Sequence, residues 1–230
     1  MRLRGRARVG AVPVVALAML LLAGCSQLTP GTAAIVNGTK ITNKAVDDLA
    51  NAQCVAADRA PRSAQATSMA ISRVKQQSLG LLMDTELSLQ YAKDQGITPQ
   101  QSLSQGLFSQ FEPSIAPLPG KARTVLTEVF QSWAKGRAIL IEAGSKSTGQ
   151  APTQGNLDQL VTAGLQDRDG WLKDHTKITT DARYSPTKQG IPGGGDGSVS
   201  RAASQFAKDA GAAQPSQKWV SGLPPSQKCG

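Results

Sequence analysis

The chain has 230 residues, 40% of them apolar, with 25 basic and 16 acidic side chains and a formal net charge of +9. That length allows one domain with its own core, or one domain with flexible ends. Large aromatics are scarce (three Trp, two Tyr and four Phe), so aliphatic residues must do most of the packing.

Arg2, Arg4, Arg6 and Arg8 precede a short apolar run, Ala11 to Leu22, that contains Pro13. A membrane-spanning helix needs about 20 apolar residues, so this run is too short to be one. It closes on Leu22-Ala23-Gly24-Cys25, small residues followed by a cysteine. The stretch resembles the lipobox of bacterial lipoproteins. That resemblance implies a signal peptide over residues 1–24, lipid attachment (palmitate among the acyl groups) at Cys25, and a cell-envelope address on the extracytoplasmic side of the membrane. The outer membrane is an option in a cell with two, since Ser26 is not an acidic retention signal. The alternative is an uncleaved or non-lipidated signal. Export of this kind leaves no place for a nucleic-acid partner. The leader's arginines account for four of the nine net charges, so the mature chain is near +5. Its charges are mixed along the sequence and read as general surface chemistry, with attraction to anionic headgroups.

Residues 25–32 read as a lipid-anchored tether. Ala33–Val36 then forms a short strand, and Asn37-Gly38 the centre of a type I′ turn, because both residues tolerate positive φ. Thr42 or Asn43 caps a helix to about Ala57, with Val46, Leu49, Ala50 and Cys54 at helical spacing. Pro61 breaks it. A long helical pattern spans Ser63 to Gln95, about 50 Å if unbroken, and Gly96 stops it. Thr98-Pro99 opens the next helix as cap and first turn, which Pro113, Pro117 and Pro119 end. Further helices run from Lys121 to Ala143 and, capped by Asn156, to Asp174, with a loop over 144–155 between them. Lys177–Thr180 alternates and favours β-structure. Gln189–Ser200 is a glycine-rich loop, Val199–Ala210 a last amphipathic piece, and the Pro-rich tail is irregular. Two strands so far apart in sequence are stable only if they pair with each other, closing the domain.

With Cys25 acylated, two cysteines remain, Cys54 and Cys229. An even count in an exported chain suggests a disulfide. For so long a loop the chain-entropy contribution is about 5 kcal/mol at most. Two free thiols, or a bond between molecules, are the alternatives.

Three segments together resemble the N-terminal chaperone domain of the SurA and PrsA group of exported folding factors. They are Ala34–Thr42, with its Val36-Asn37-Gly38 and Ile41-Thr42; Leu81–Thr98, with Ala92, Gly96 and Ile97; and Lys177–Tyr184, which carries Ala182 and Ser185 where the family favours Pro and Gly. The resemblance implies a mainly α fold over residues 33–185, closed by a short pair of N- and C-terminal strands. Residues 186–230 would be a Gly/Pro-rich extension tied back by the disulfide. It also implies a non-catalytic chaperone or holdase for unfolded exported polypeptides. Members often carry a parvulin prolyl isomerase insert, for which the twelve residues before Asn156 leave no room. Gly193–Gly197 looks faintly like a parvulin segment, without the flanking strands and histidines.

Catalytic groups are sparse. The lone histidine, His175, sits beside Asp174 and reads as a helix-end charge partner. No G-x-S-x-G, C-x-x-C or clustered zinc ligands occur, so no enzyme activity, metal or other cofactor is expected. Phe108, Phe111, Trp133 and Trp171 are candidate client contacts, though at helical spacing such residues are more often core. A scaffold lipoprotein docking one folded envelope partner is the competing reading, and a residual prolyl isomerase the third.

Overall fold

The computed structural model describes residues 28–60, 68–184, 186–187, 190–192, 204–210, 212 and 215–230. The leader, Cys25 and the glycine run 193–197 lie outside them. The fold is mainly helical, with a few short strands.

Strands β1 (Thr32–Val36) and β2 (Thr39–Thr42) form an antiparallel hairpin. Asn37 and Gly38 take φ of 47° and 87°, the positive values that the expected turn needs. Thr42, rather than Asn43, caps α1 (Asn43–Arg59), its hydroxyl accepting from the Ala45 N–H at 3.1 Å. Asn43 accepts instead from the Tyr184 hydroxyl at 2.9 Å.

Of the long helix expected from Ser63, residues 63–67 lie outside the described residues and 68–70 are not helical. Helix α2 spans Ile71–Gln95, and the two residues before it, Met69–Ala70, form β3. They are drawn into strand geometry by pairing with β5 (Lys228–Cys229) at the far end of the sequence. Gly96, at φ 61°, ends α2, and the Ile97 N–H bonds the Ala92 carbonyl at 2.8 Å. Helix α3 (Gln101–Ser109) starts after an extended Gln100, so Thr98-Pro99 is connector and not cap. Pro113 lies within the first turn of α4 (Glu112–Ile115), where its missing N–H has no helical partner to lose.

Helix α5 (Gly120–Thr148) is the spine, and α1, α2, α3 and α6 (Leu157–His175) all pack on it. It continues through Gly144, which packs rather than breaks, and stops at Gly149, at φ 70°. Asn156 takes the N-cap position of α6, as expected, but its side chain makes no capping hydrogen bond. Its side-chain oxygen accepts from the Thr153 N–H at 2.7 Å and its amide donates to the Ala151 carbonyl at 3.0 Å, tying the short loop together.

Helices α5 and α6 meet backbone to backbone. A Cβ added to Gly144 would overlap the Leu160 carbonyl, and one added to Gly164 would overlap the Leu140 carbonyl. The spacing Leu-x-x-x-Gly recurs in both helices, and each glycine receives the other helix's leucine main chain. Leu140, Ile141, Leu160 and Val161 are buried together around this contact.

Strand β4 (Ile178–Thr180) returns to β1, with Ile35 opposite Thr179, giving the order β2-β1-β4. The closure by remote strands is therefore present, within a three-stranded sheet rather than a lone pair. The Asn37 side chain fastens it, accepting from the Lys177 N–H at 2.7 Å and donating to the His175 carbonyl at 3.0 Å. Ala33, Ala34 and Val36 are fully buried against Val46, Leu79 and Met83. After β4 come a 3-10 turn (Ala182–Tyr184), α7 (Gln205–Ala210) inside the expected amphipathic piece, α8 (Gln217–Ser221) and a second 3-10 turn (Pro225–Gln227), so the Pro-rich tail beyond residue 210 is more regular than its composition suggested. Cys54 and Cys229 form a disulfide that joins α1 to β5, beside Ala50 and Val74.

Gly164→Ala is expected to destabilise the protein by about 3 kcal/mol or more, because the colliding group is backbone and not the end of a flexible side chain. Gly170→Ala, in the same helix but facing open space, is expected to stabilise by about 0.5–1 kcal/mol. Urea unfolding of the two variants measures both.

Candidate functional site

Among the described residues, several surface hollows border the α5 spine. One, of about 340 Å³, lies between β2, α2 and α5. Its floor is apolar, from Ile41, Leu82, Leu89 and Val129, and Glu86 and Glu128 stand at its sides. Thr85 also lines it. That residue is only 8% exposed, and its buried hydroxyl has no hydrogen-bond partner among the described residues. All four residues of β2 line the hollow as well. Alternate side chains of a strand point to opposite faces, so β2 presents its edge here as well as one face.

Other hollows border the same helix. One between α3 and α5, of about 310 Å³, is lined by Pro99, Ser104, Phe108, Gln131 and Lys135. Another, of about 420 Å³, lies between the end of α2, α5 and α6, where Tyr91, Ile97 and Trp171 face Lys146, Ser147 and Asp167. Burial, with Asp167 as a lesser cause, pushes the Tyr91 hydroxyl above its ordinary pKa, so it stays neutral. A smaller one, of about 190 Å³, sits beside Asp48. Hydrogen bonds from Lys121 and then Lys44 hold that carboxyl below the usual carboxylate range.

The four aromatic candidates divide. Phe111 stacks on Phe130 with centroids 4.5 Å apart and meets Trp133 edge-on at 5.3 Å. Phe108 packs against the same cluster and lines the α3–α5 hollow. Trp171 stands apart on α6. It meets Tyr91 edge-on at 5.6 Å, lies parallel to His175, and donates from Nε1 to Asp94 at 2.6 Å. None of the four lines the hollow at β2. The residues that do were missed, although Leu82, Glu86 and Leu89 recur at helical spacing along one side of α2.

Arg168 sets how α2 and α6 sit beside one another. It is buried, and its Nη1 donates to Asp84 Oδ1 at 2.6 Å and to the Ser88 hydroxyl at 2.8 Å. His175 stays exposed, with Nδ1 2.9 Å from the Trp171 carbonyl. Among the described residues no three His, Cys, Asp or Glu side chains are grouped to hold a metal, and no helix is long and apolar enough to cross a membrane.

A helical domain closed by its own remote strands, with open hollows along one long spine, is the class of protein these features define. Residues 3–112, just under half of the chain, match the family model described as the SurA-like N-terminal domain. The match takes in the β1–β2 hairpin and α1 to α3, and it includes two of the three resembling segments; Lys177–Tyr184 falls beyond it. No curated protein and no solved structure matches the chain.

Phe111 belongs to a packed aromatic cluster, so Phe111→Ala is expected to lower stability by about 2–3 kcal/mol, less than for a fully buried Phe. Thermal unfolding checks this. An unchanged melting temperature would return Phe111 to the candidate contacts.

Proposed function

We propose that this chain is a membrane-anchored extracytoplasmic holdase, lipidated at Cys25, that binds unfolded exported polypeptides without catalysing a reaction. One observation carries the reading. The apolar hollow beside β2 is bounded by β2 and α2 of the segment matching a SurA-like domain and by α5 beyond that match, and no described side chain fills it. An unfolded chain offers apolar side chains in excess of its folded form, and a shallow apolar surface beside polar walls holds such a chain reversibly. Reversible holding needs no nucleophile, proton relay or metal. The eight residues between α5 and α6 leave no space at that point for an inserted isomerase domain, which favours holding over isomerisation.

The soluble exported form should slow aggregation of an unfolded model protein at near-stoichiometric ratios. It should leave a proline-limited refolding phase unchanged. That phase takes about 10–100 s uncatalysed at 25 °C, so catalysis would be plain. Acceleration at catalytic ratios would overturn the non-enzymatic reading. No suppression, together with tight binding to one folded protein, would replace the holdase with the scaffold.

For the anchor, Cys25→Ser is expected to move the protein from the detergent phase to the aqueous phase on partitioning. A variant that stays as membrane-bound as the parent would remove lipidation at Cys25 from the proposal.

A further inference from the structure

The hollow beside β2 is bordered by a sheet edge. In the order β2-β1-β4, β2 has one strand neighbour among the described residues and an open side. The register fixes which backbone groups face that side. In a two-residue hairpin the residues flanking the turn, here Val36 and Thr39, exchange hydrogen bonds with each other. Thr39 and Ile41 therefore direct their N–H and C=O toward β1, and Lys40 directs both of its groups away from it. The Asn43 N–H, which bonds the Gly31 carbonyl at 2.8 Å on the β1 side, keeps the same alternation. The opposite edge of the sheet differs, because there Thr180 donates from its hydroxyl to the Gly190 carbonyl and Gly190 packs on Ile178.

We infer that the hollow takes its occupant by strand addition: an extended polypeptide segment pairs with the outer edge of β2 through Lys40, sets alternate apolar side chains on Ile41, Leu82, Leu89 and Val129, and places a Lys or Arg between Glu86 and Glu128. This deepens the holdase reading and rests on it. Charge complementarity selects the occupant. The Lys40 ammonium is turned to the Thr29 hydroxyl at 2.7 Å, and Glu86 accepts from the neutral amide of Gln90 at 2.6 Å. Glu128 forms no ion pair among the described residues. The hollow thus offers carboxylates to an incoming cation. Backbone pairing is independent of sequence, which suits a site that must accept many chains, while the apolar floor and carboxylates impose a preference.

The test uses the full chain carrying Cys25→Ser, with binding read by fluorescence anisotropy. The probes are a labelled ten-residue peptide alternating Val and Thr around a central Lys, its Glu counterpart, and a copy N-methylated at alternate amides. The Lys peptide is expected to bind about tenfold tighter than the Glu peptide, and Glu128→Gln to narrow that gap severalfold. N-methylation is expected to weaken binding about tenfold, as loss of a paired backbone bond does. Lys40→Pro, which removes the outward N–H while sparing the ladder with β1, should weaken binding similarly relative to Lys40→Ala. Equal binding of the methylated peptide, or equal binding by Lys40→Pro and Lys40→Ala, overturns strand addition. Should Lys40→Pro unfold the hairpin, the methylated peptide decides alone. Aggregation suppression that persists in a folded Lys40→Pro would keep the holdase and discard strand addition. Strand addition confirmed by the peptides, with no aggregation suppression, would discard the holdase and keep the site.

Discussion

The approach of α5 to α6 is the constraint on which the remaining geometry hangs. Two glycines let the main chains touch, with Gly144 on the Leu160 carbonyl and Gly164 on the Leu140 carbonyl. Were α6 held off by the thickness of a methyl group, Arg168 would no longer reach Asp84 and Ser88 on α2. Strand β4, which follows α6 after two residues, would no longer meet β1 in register. A close interhelical contact at one end of α5 thus sets the closure of the sheet. The sheet in turn holds the outer edge of β2 against α5, where the apolar hollow forms.

Local signals made part of this fold legible. Asn37-Gly38 needs positive φ at two successive positions, which few other pairs tolerate, so the hairpin could be read from two residues. Gly96 after a long apolar-periodic run marked the end of α2 for the same reason. The closure of β1 by a strand near residue 178 followed from the instability of isolated strands. What the sequence hid was non-local. Met69–Ala70 reads as helix, and becomes strand because Lys228–Cys229 lies beside it. Gly144 reads as a helix stop, and is instead the place where another helix must pass; nothing in its own neighbourhood says so. Asn156 has the chemistry of a cap and spends it on the loop before it.

The candidate site was less legible than the fold. Large aromatics draw attention in a chain that has few, yet Phe111, Phe130 and Trp133 satisfy one another. The hollow is floored by ordinary aliphatics. Leu82 and Leu89 lie on a second apolar stripe of α2, beside the stripe of Leu79, Met83 and Leu87 that enters the core. A helix with two apolar stripes packs on one side and leaves something uncovered on the other, and that width is readable from spacing. The edge of β2 is not readable, since it depends on which side of the hairpin β4 joins.

The bond between Cys54 and Cys229 gives the chain the topology of a lasso. Residues 54 to 229 form a covalently closed ring, and everything before residue 54 is a stem leaving it. One backbone cut anywhere in the ring opens a loop and releases nothing; both sides of the nick remain one molecule. Only a cut in the stem sheds a fragment, and the stem holds β1, β2 and most of α1. Within the stem, β1 is buried between its two neighbouring strands, out of a protease's reach while the domain stays folded. A nicked molecule can therefore keep its connection to residues upstream of residue 54, and while the disulfide stays oxidised that wear leaves the protein in one piece.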